Sequence, residues 1–179
     1  MLCQIKNRRL GMLDDLTNLQ ALLKDSTLLA TRGYIAGEWC DGENGQTFPV
    51  YNPARGDVIT DVADISRTQT AEAISIAEKA QKLWAARPAK ERSNLLRNWY
   101  NLMMENQEDL ATILTAEQGK PIEEAKGEIA YGASFIEFFA EEAKRVYGET
   151  IPGHQSDKRI TVLKQPIGVA ASITPWNFP

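Results

Sequence analysis

The run Val169-Ala-Ala-Ser-Ile173 constrains this 179-residue chain more than any other feature. A short stretch of small apolar residues is how a strand buried on both faces of a parallel sheet reads. Such a strand needs neighbours at both edges and helices on both faces. Each parallel neighbour also needs a crossover of about a dozen residues or more. The residues upstream read instead as antiparallel hairpins and helices. Val169–Ile173 is therefore expected to be the first strand of a doubly wound α/β sheet. With those partners not supplied by the residues upstream, the chain is expected to be roughly the first third of a larger α/β protein.

Composition narrows the function classes. Hydrophobic residues make up 43% and charged residues 25%, which is globular rather than disordered or fibrous. Twenty Lys and Arg against 24 Asp and Glu give a net charge of −4. No basic excess tracks a phosphate backbone, so no nucleic acid partner is expected. No apolar run approaches the ~20 residues that span a bilayer, so no membrane partner is expected either. Cys3 and Cys40 lack C-x-x-C spacing and read as reduced thiols. His154, the single histidine, sits in Ile-Pro-Gly-His and reads as a loop residue; no metal site is expected. Residues 1–15 read as a leader without fixed structure, with Met12 a candidate start. No signal-peptide pattern follows, and the expected compartment is the cytoplasm.

Periodicity divides the rest. Leu16–Lys24 reads as a short amphipathic helix. Residues 33–63 read as small antiparallel hairpins, with Asp41-Gly42 and Asn44-Gly45 as turn formers. Ala73, Ile76, Ala77, Ala80, Leu83 and Trp84 form one helical stripe, ended by Pro88. A second helix from about Lys90 carries Leu95, Leu96, Trp99, Leu102 and Met103. A third carries Leu110, Ile113 and Leu114 and stops at Gly119, so Gln118-Gly-Lys-Pro121 reads as a corner between helices. A fourth runs from about Ile122 to Tyr147, with Ala125, Ile129, Gly132, Ala133, Ile136, Phe139, Ala140 and Ala143 inward. The Trp and Phe positions of these helices read as core. Gly148–Gly153 reads as a loop, and residues 159–164 alternate as a strand with mixed faces.

The catalytic inventory is thin: no Gly-x-Gly-x-x-Gly, Walker loop or nucleophile–His pair is present. One segment has unusual chemistry, Ile173-Thr-Pro-Trp-Asn-Phe-Pro179. Open α/β sheets bind ligands beyond the carboxyl ends of their strands. Two prolines fix the backbone there, Trp176 offers a flat wall, and Asn177 offers an amide N–H pair able to polarise a carbonyl oxygen. Equally open on the residues alone is a turn with a buried Trp and an Asn that caps backbone.

The sixteen residues Lys164-Gln-Pro-Ile-Gly-Val-Ala-Ala-Ser-Ile-Thr-Pro-Trp-Asn-Phe-Pro179 resemble a signature block of the aldehyde dehydrogenase superfamily. Ile35-Ala-Gly-Glu-Trp39, Tyr51-Asn-Pro-Ala54 and Glu117-Gln-Gly-Lys-Pro121 match it in order. The stretch 124–142 and Tyr147-Gly-Glu-Thr-Ile-Pro-Gly-His154 resemble its succinate-semialdehyde branch. The resemblance implies oxidation of an aldehyde to a carboxylate with NAD or NADP, through attack by a cysteine thiolate and release by a glutamate-activated water. It implies succinate semialdehyde as the small aldehyde substrate, reached in 4-aminobutanoate degradation. By motif match, Asn177 would donate its amide to the thiohemiacetal oxyanion, and Ile173, Thr174, Pro175 and Trp176 would line the cofactor cleft. It divides the chain into residues 16–157, the helical and hairpin part of the cofactor-binding domain; 158–167, an oligomerisation strand that makes the full-length protein a homo-oligomer; and 168–179, the first Rossmann-like strand and active-site turn. Neither Cys3 nor Cys40 stands where the nucleophile is expected, so the chain alone is expected to be inactive. The competing reading is a non-enzymatic helical binding or assembly module.

Overall fold

A computed structural model describes residues 18–179. The leader 1–15, Met12 and Cys3 lie outside the described residues, as does the start of the helix expected at Leu16. That helix, α1, spans Leu19–Leu22. Leu19 and Leu23 nonetheless bury their side chains, with Leu29 and Ala116, against Ile59 and Ile113.

Two antiparallel hairpins fill residues 33–63, as expected. β1 (Gly33–Ile35) pairs with β2 (Glu38–Cys40), placing Tyr34 opposite Trp39 with ring centroids 4.9 Å apart. The turn is Ala36-Gly37, both at positive φ, which matches the twist of the flanking strands. Of the two turn pairs expected, Asn44-Gly45 takes positive φ and Asp41-Gly42 does not. β3 (Thr47–Tyr51) pairs with β4 (Val58–Ala63), with an irregularity between Val50 and Tyr51. Buried Asn52 follows β3. Its side-chain oxygen accepts from the backbone N–H of Ala54 at 2.9 Å and of Arg55 at 3.3 Å, an Asx turn that swings Pro53 outward.

α2 (Arg67–Ala85) opens on a capping box, Ser66 with Gln69. Gln69 also ties the helix to the hairpins, accepting from the Glu43 N–H at 3.0 Å and donating to the Asp41 carbonyl at 2.9 Å. α3 (Ala89–Glu105), α4 (Gln107–Gln118) and α5 (Ile122–Glu142) form the helical body, with α3 and α4 each packed on α5. Ala111 and Ala125 are fully buried beside Leu114, so small side chains let α4 and α5 approach closely. Arg97 of α3 bridges Glu137 and Glu141 of α5, the latter at 2.7 Å. Asp109, 4% exposed in the first turn of α4, accepts from the N–H of Lys24 at 3.1 Å and of Asp25 at 2.8 Å.

Several expectations need correction. The fourth helix ends at Glu142 rather than Tyr147. Residues 148–153 are not a loop: β5 (Glu149–Pro152) pairs antiparallel with β6 (Arg159–Val162). A Cβ at Gly148 would stand 2.2 Å from the Val162 carbonyl oxygen, so the glycine admits the partner strand. Its flanking Gly and Pro are what made this strand read as a turn. The expected inward faces are only partly buried. Ala125, Ala133 and Ala140 are covered on α5, but Phe139 is 57% exposed, as are Trp99 at 56% and Leu83 at 76%. The apolar stripe is real, but no described element lies over these positions.

Val169–Ile173 forms no strand and is exposed throughout. Its pattern suits a buried strand, but strand geometry needs a hydrogen-bonded neighbour, and no described strand pairs with it. What is described matches the expected class in its helices and small antiparallel hairpins.

Candidate active-site turn

Helix α4 ends where the argument from sequence placed its stop. Gly119 takes φ +79°, ψ 9°, the left-handed conformation that closes a helix, and its N–H returns to the Thr115 carbonyl at 2.9 Å. A Cβ added there would sit 3.2 Å from Pro53 Cγ. The Asx turn after β3 thus leans directly on the corner. Pro121 is the N-cap of α5, which starts at Ile122 as expected, with φ −56° and ψ 141°.

The terminal turn docks on the other side of the same corner. Gln118 Nε2 donates to the Trp176 carbonyl at 2.7 Å, and Lys120 Nζ donates to the Asn177 carbonyl at 2.9 Å. The Lys120 ammonium also pairs with Glu128 and stands 4.5 Å from the centroid of the Phe178 ring. Within the turn, the Phe178 N–H donates to the Pro175 carbonyl at 3.2 Å. Segments around Pro53, Gly119 and Asn177, distant in sequence, therefore meet at one place.

A cleft of about 370 Å³ opens beside this junction, lined by Met103, Glu128, Tyr131, Phe135, Thr174 and Phe178 among others. Its wall is mostly apolar, with the Glu128 carboxylate the charged group in it. Asn177 is exposed, and no hydrogen bond among the described residues engages its side-chain amide. Its main chain is anchored while its amide stays exposed. Ile173 is 96% and Trp176 85% exposed among the described residues. Thr174 lines the cleft, while Ile173, Pro175 and Trp176 form an uncharged, open strip next to it.

Electrostatics around the corner are modest. Burial lifts the Glu117 carboxyl above its ordinary value, although part of the side chain still meets water. Gln118 Oε1 and Thr115 Oγ1 are buried without a hydrogen-bond partner among the described residues. No group of three or more His, Cys, Asp or Glu among those residues can hold a metal ion. Cys40 is half-buried in β2, within the first hairpin, and His154 is exposed between β5 and β6.

Sequence reasoning found Asn177 and its neighbours as a segment. It read Gln118 and Lys120 only as parts of a corner and missed Glu128, Tyr131 and Phe135 altogether. Tyr131 and Phe135 stand one helical turn apart with ring centroids 4.9 Å apart. Their spacing was a visible signal, but neither was among the positions read as inward on that helix.

Comparison with known proteins gives a consistent answer. The model of the aldehyde dehydrogenase family matches residues 39–179. A glutarate-semialdehyde dehydrogenase of Pseudomonas putida is 62% identical over 157 residues, covering 88% of this chain and 33% of that protein. The NADP(+)-dependent succinate-semialdehyde dehydrogenase GabD of Escherichia coli is 59% identical, covering 88% and 33%. Among solved structures, an E. coli NADP-dependent enzyme superposes with a TM-score of 0.86 at 58% identity, again covering 88% and 33%. The chain spans about a third of the length of the relatives it matches.

Proposed function

The chain belongs to the aldehyde dehydrogenase family, and from that premise we propose that it is the N-terminal portion of an enzyme oxidising succinate semialdehyde to succinate with NAD(P)+. The observation that carries the reading is the terminal turn: Gln118 and Lys120 hold its two carbonyls while the Asn177 amide stays exposed near an apolar cleft. Relatives that act on succinate and glutarate semialdehydes, at 59% and 62% identity, support an aldehyde with a distal carboxylate. The four-carbon substrate is the finer part of the proposal, and 4-aminobutanoate degradation is the route that fits it.

The residues present fit the nicotinamide end of a cofactor. Residues 173–179 carry no charge, Trp176 gives an open indole face, and Thr174 joins that strip to the cleft. Ile173, Thr174, Pro175 and Trp176 would line that face, and the bound cofactor supplies the hydride acceptor. When a thiolate attacks the aldehyde carbon, negative charge develops on the aldehyde oxygen. Asn177 Nδ2–H donates to that oxygen from a main chain already fixed, so little reorganisation is needed as charge forms. The thiol present among the described residues, Cys40, lies in the β1–β2 hairpin, so the chain alone is without aldehyde-oxidising activity in this reading. Aldehyde-dependent NAD(P)H formation by the purified chain contradicts that.

Strand β6 and its neighbours, residues 158–167, serve in this reading as the segment through which full-length subunits associate. The central test is Asn177→Ala in the complete enzyme. Removal of one oxyanion donor lowers kcat by about 10²–10³, or about 2.7–4 kcal/mol. An unchanged kcat removes the basis for the role given to Asn177.

A further inference from the structure

Lys120 is covered more fully than a corner lysine needs to be. Its side chain is 14% exposed and that of its partner Glu128 11%. A lysine so enclosed keeps its charge only where partners replace its water. It has three: the Glu128 carboxylate, the Asn177 carbonyl oxygen at 2.9 Å, and the Phe178 ring 4.5 Å away. Two of the three belong to the terminal turn. That turn has little packing of its own, since Ile173 and Trp176 are 96% and 85% exposed. Its one internal backbone hydrogen bond runs from Phe178 N–H to the Pro175 carbonyl. What holds it in one place is therefore the ammonium, assisted by Gln118.

We propose that Lys120, fixed by Glu128, is a positioning residue for Asn177: it clamps the Asn177 main chain and the Phe178 ring so that the exposed amide is held in a single orientation beside the cleft. This rests on the reading of Asn177 as oxyanion donor. An amide donor accelerates a reaction only when it is preorganised, and a displacement of about 1 Å can cost about 10²-fold in rate. Glu128 lines the same cleft as Thr174 and Phe178, so the clamp and the cleft share a wall. A pair serving only to join α4 to α5 has no need of the Asn177 carbonyl.

The test uses two readouts. In the complete enzyme, Lys120→Met lowers kcat about 10- to 100-fold, while KM for aldehyde and for cofactor moves less than about threefold. Lys120→Arg recovers part of the loss, and Glu128→Gln reproduces a smaller version of it should the Met variant fold poorly. Adding Lys120→Met to Asn177→Ala costs less than about twofold more, because the clamp acts through the amide. An equal loss in both backgrounds, or an effect confined to KM, overturns the proposal. Hydrogen exchange on the 179-residue chain is the second readout. The Phe178 amide exchanges faster in Lys120→Met while amides of α4 and α5 keep their protection. Unchanged Phe178 exchange overturns the clamp outright. Should Asn177→Ala keep wild-type kcat, the oxyanion role falls, and the exchange experiment alone judges the clamp.

Discussion

The α4–α5 helical body and the segment 163–179 have similar apolar character and opposite fates. Ala111, Leu114 and Ala125 disappear from solvent, whereas Ile167, Ile173 and Trp176 stay almost wholly exposed. Apolar residues are buried by partners and not by their own pattern. Helices carry their backbone hydrogen bonds within themselves, so α3–α5 form and then need only each other. A strand has no such independence, and Val169–Ile173 without a hydrogen-bonded neighbour takes no regular secondary structure. The terminal turn sits between these extremes, because its two carbonyls and the Phe178 ring are tied to the helical body while the Trp176 ring and the Asn177 amide stay exposed.

That contrast can be broken or sharpened by mutation. The largest stability effect is expected at Asp109, whose carboxylate satisfies two backbone N–H groups of the α1 connection. Asp109→Ala strands both donors and lowers unfolding free energy by about 2–4 kcal/mol, measured by denaturant titration. Gly119→Ala comes next. Its φ of +79° and the nearby Pro53 make any Cβ unwelcome, with a cost of about 1–3 kcal/mol in the same assay. A smaller effect of opposite sign is expected at Glu117. Burial raises its carboxyl pKa above the ordinary 4.5, so its contribution favours folding below that value and is lost as pH rises through the raised one. Glu117→Gln therefore gives a slight rise in melting temperature at pH 7, and the difference from wild type vanishes below pH 4.5. Smallest of all, Ile173→Ser changes stability by less than about 0.5 kcal/mol. A loss as large as that of Asp109→Ala at this exposed position erases the contrast between the two regions.

Local chemistry made much of the fold legible before any coordinates. Asn44-Gly45 marked a positive-φ turn, and Gly119 ended α4 where helical periodicity lapsed. Strand β5 escaped notice because Gly148 and Pro152 are turn residues by composition, and only the approach of Val162 explains the glycine. The candidate site was legible as a segment but not as a place. Lys120 reaches Asn177 across 57 residues, and Asp109 reaches Asp25 across 84. No window on the sequence contains such pairs. Exposure of Trp84, Trp99 and Phe139 was unreadable for the same reason, since helical spacing reports an apolar face and not what covers it.

The Gly119 corner also imposes an order of events. Its contacts to Trp176 and Asn177 close spans of 58 and 57 residues, whereas each helix turn closes one of four. Closing a long span costs entropy before its contacts return anything, so local elements assemble first. The terminal turn is accordingly the last piece to settle, on a platform that α4 and α5 have already built. In a refolding experiment with pulsed amide labelling, Phe178 gains protection after the helices do.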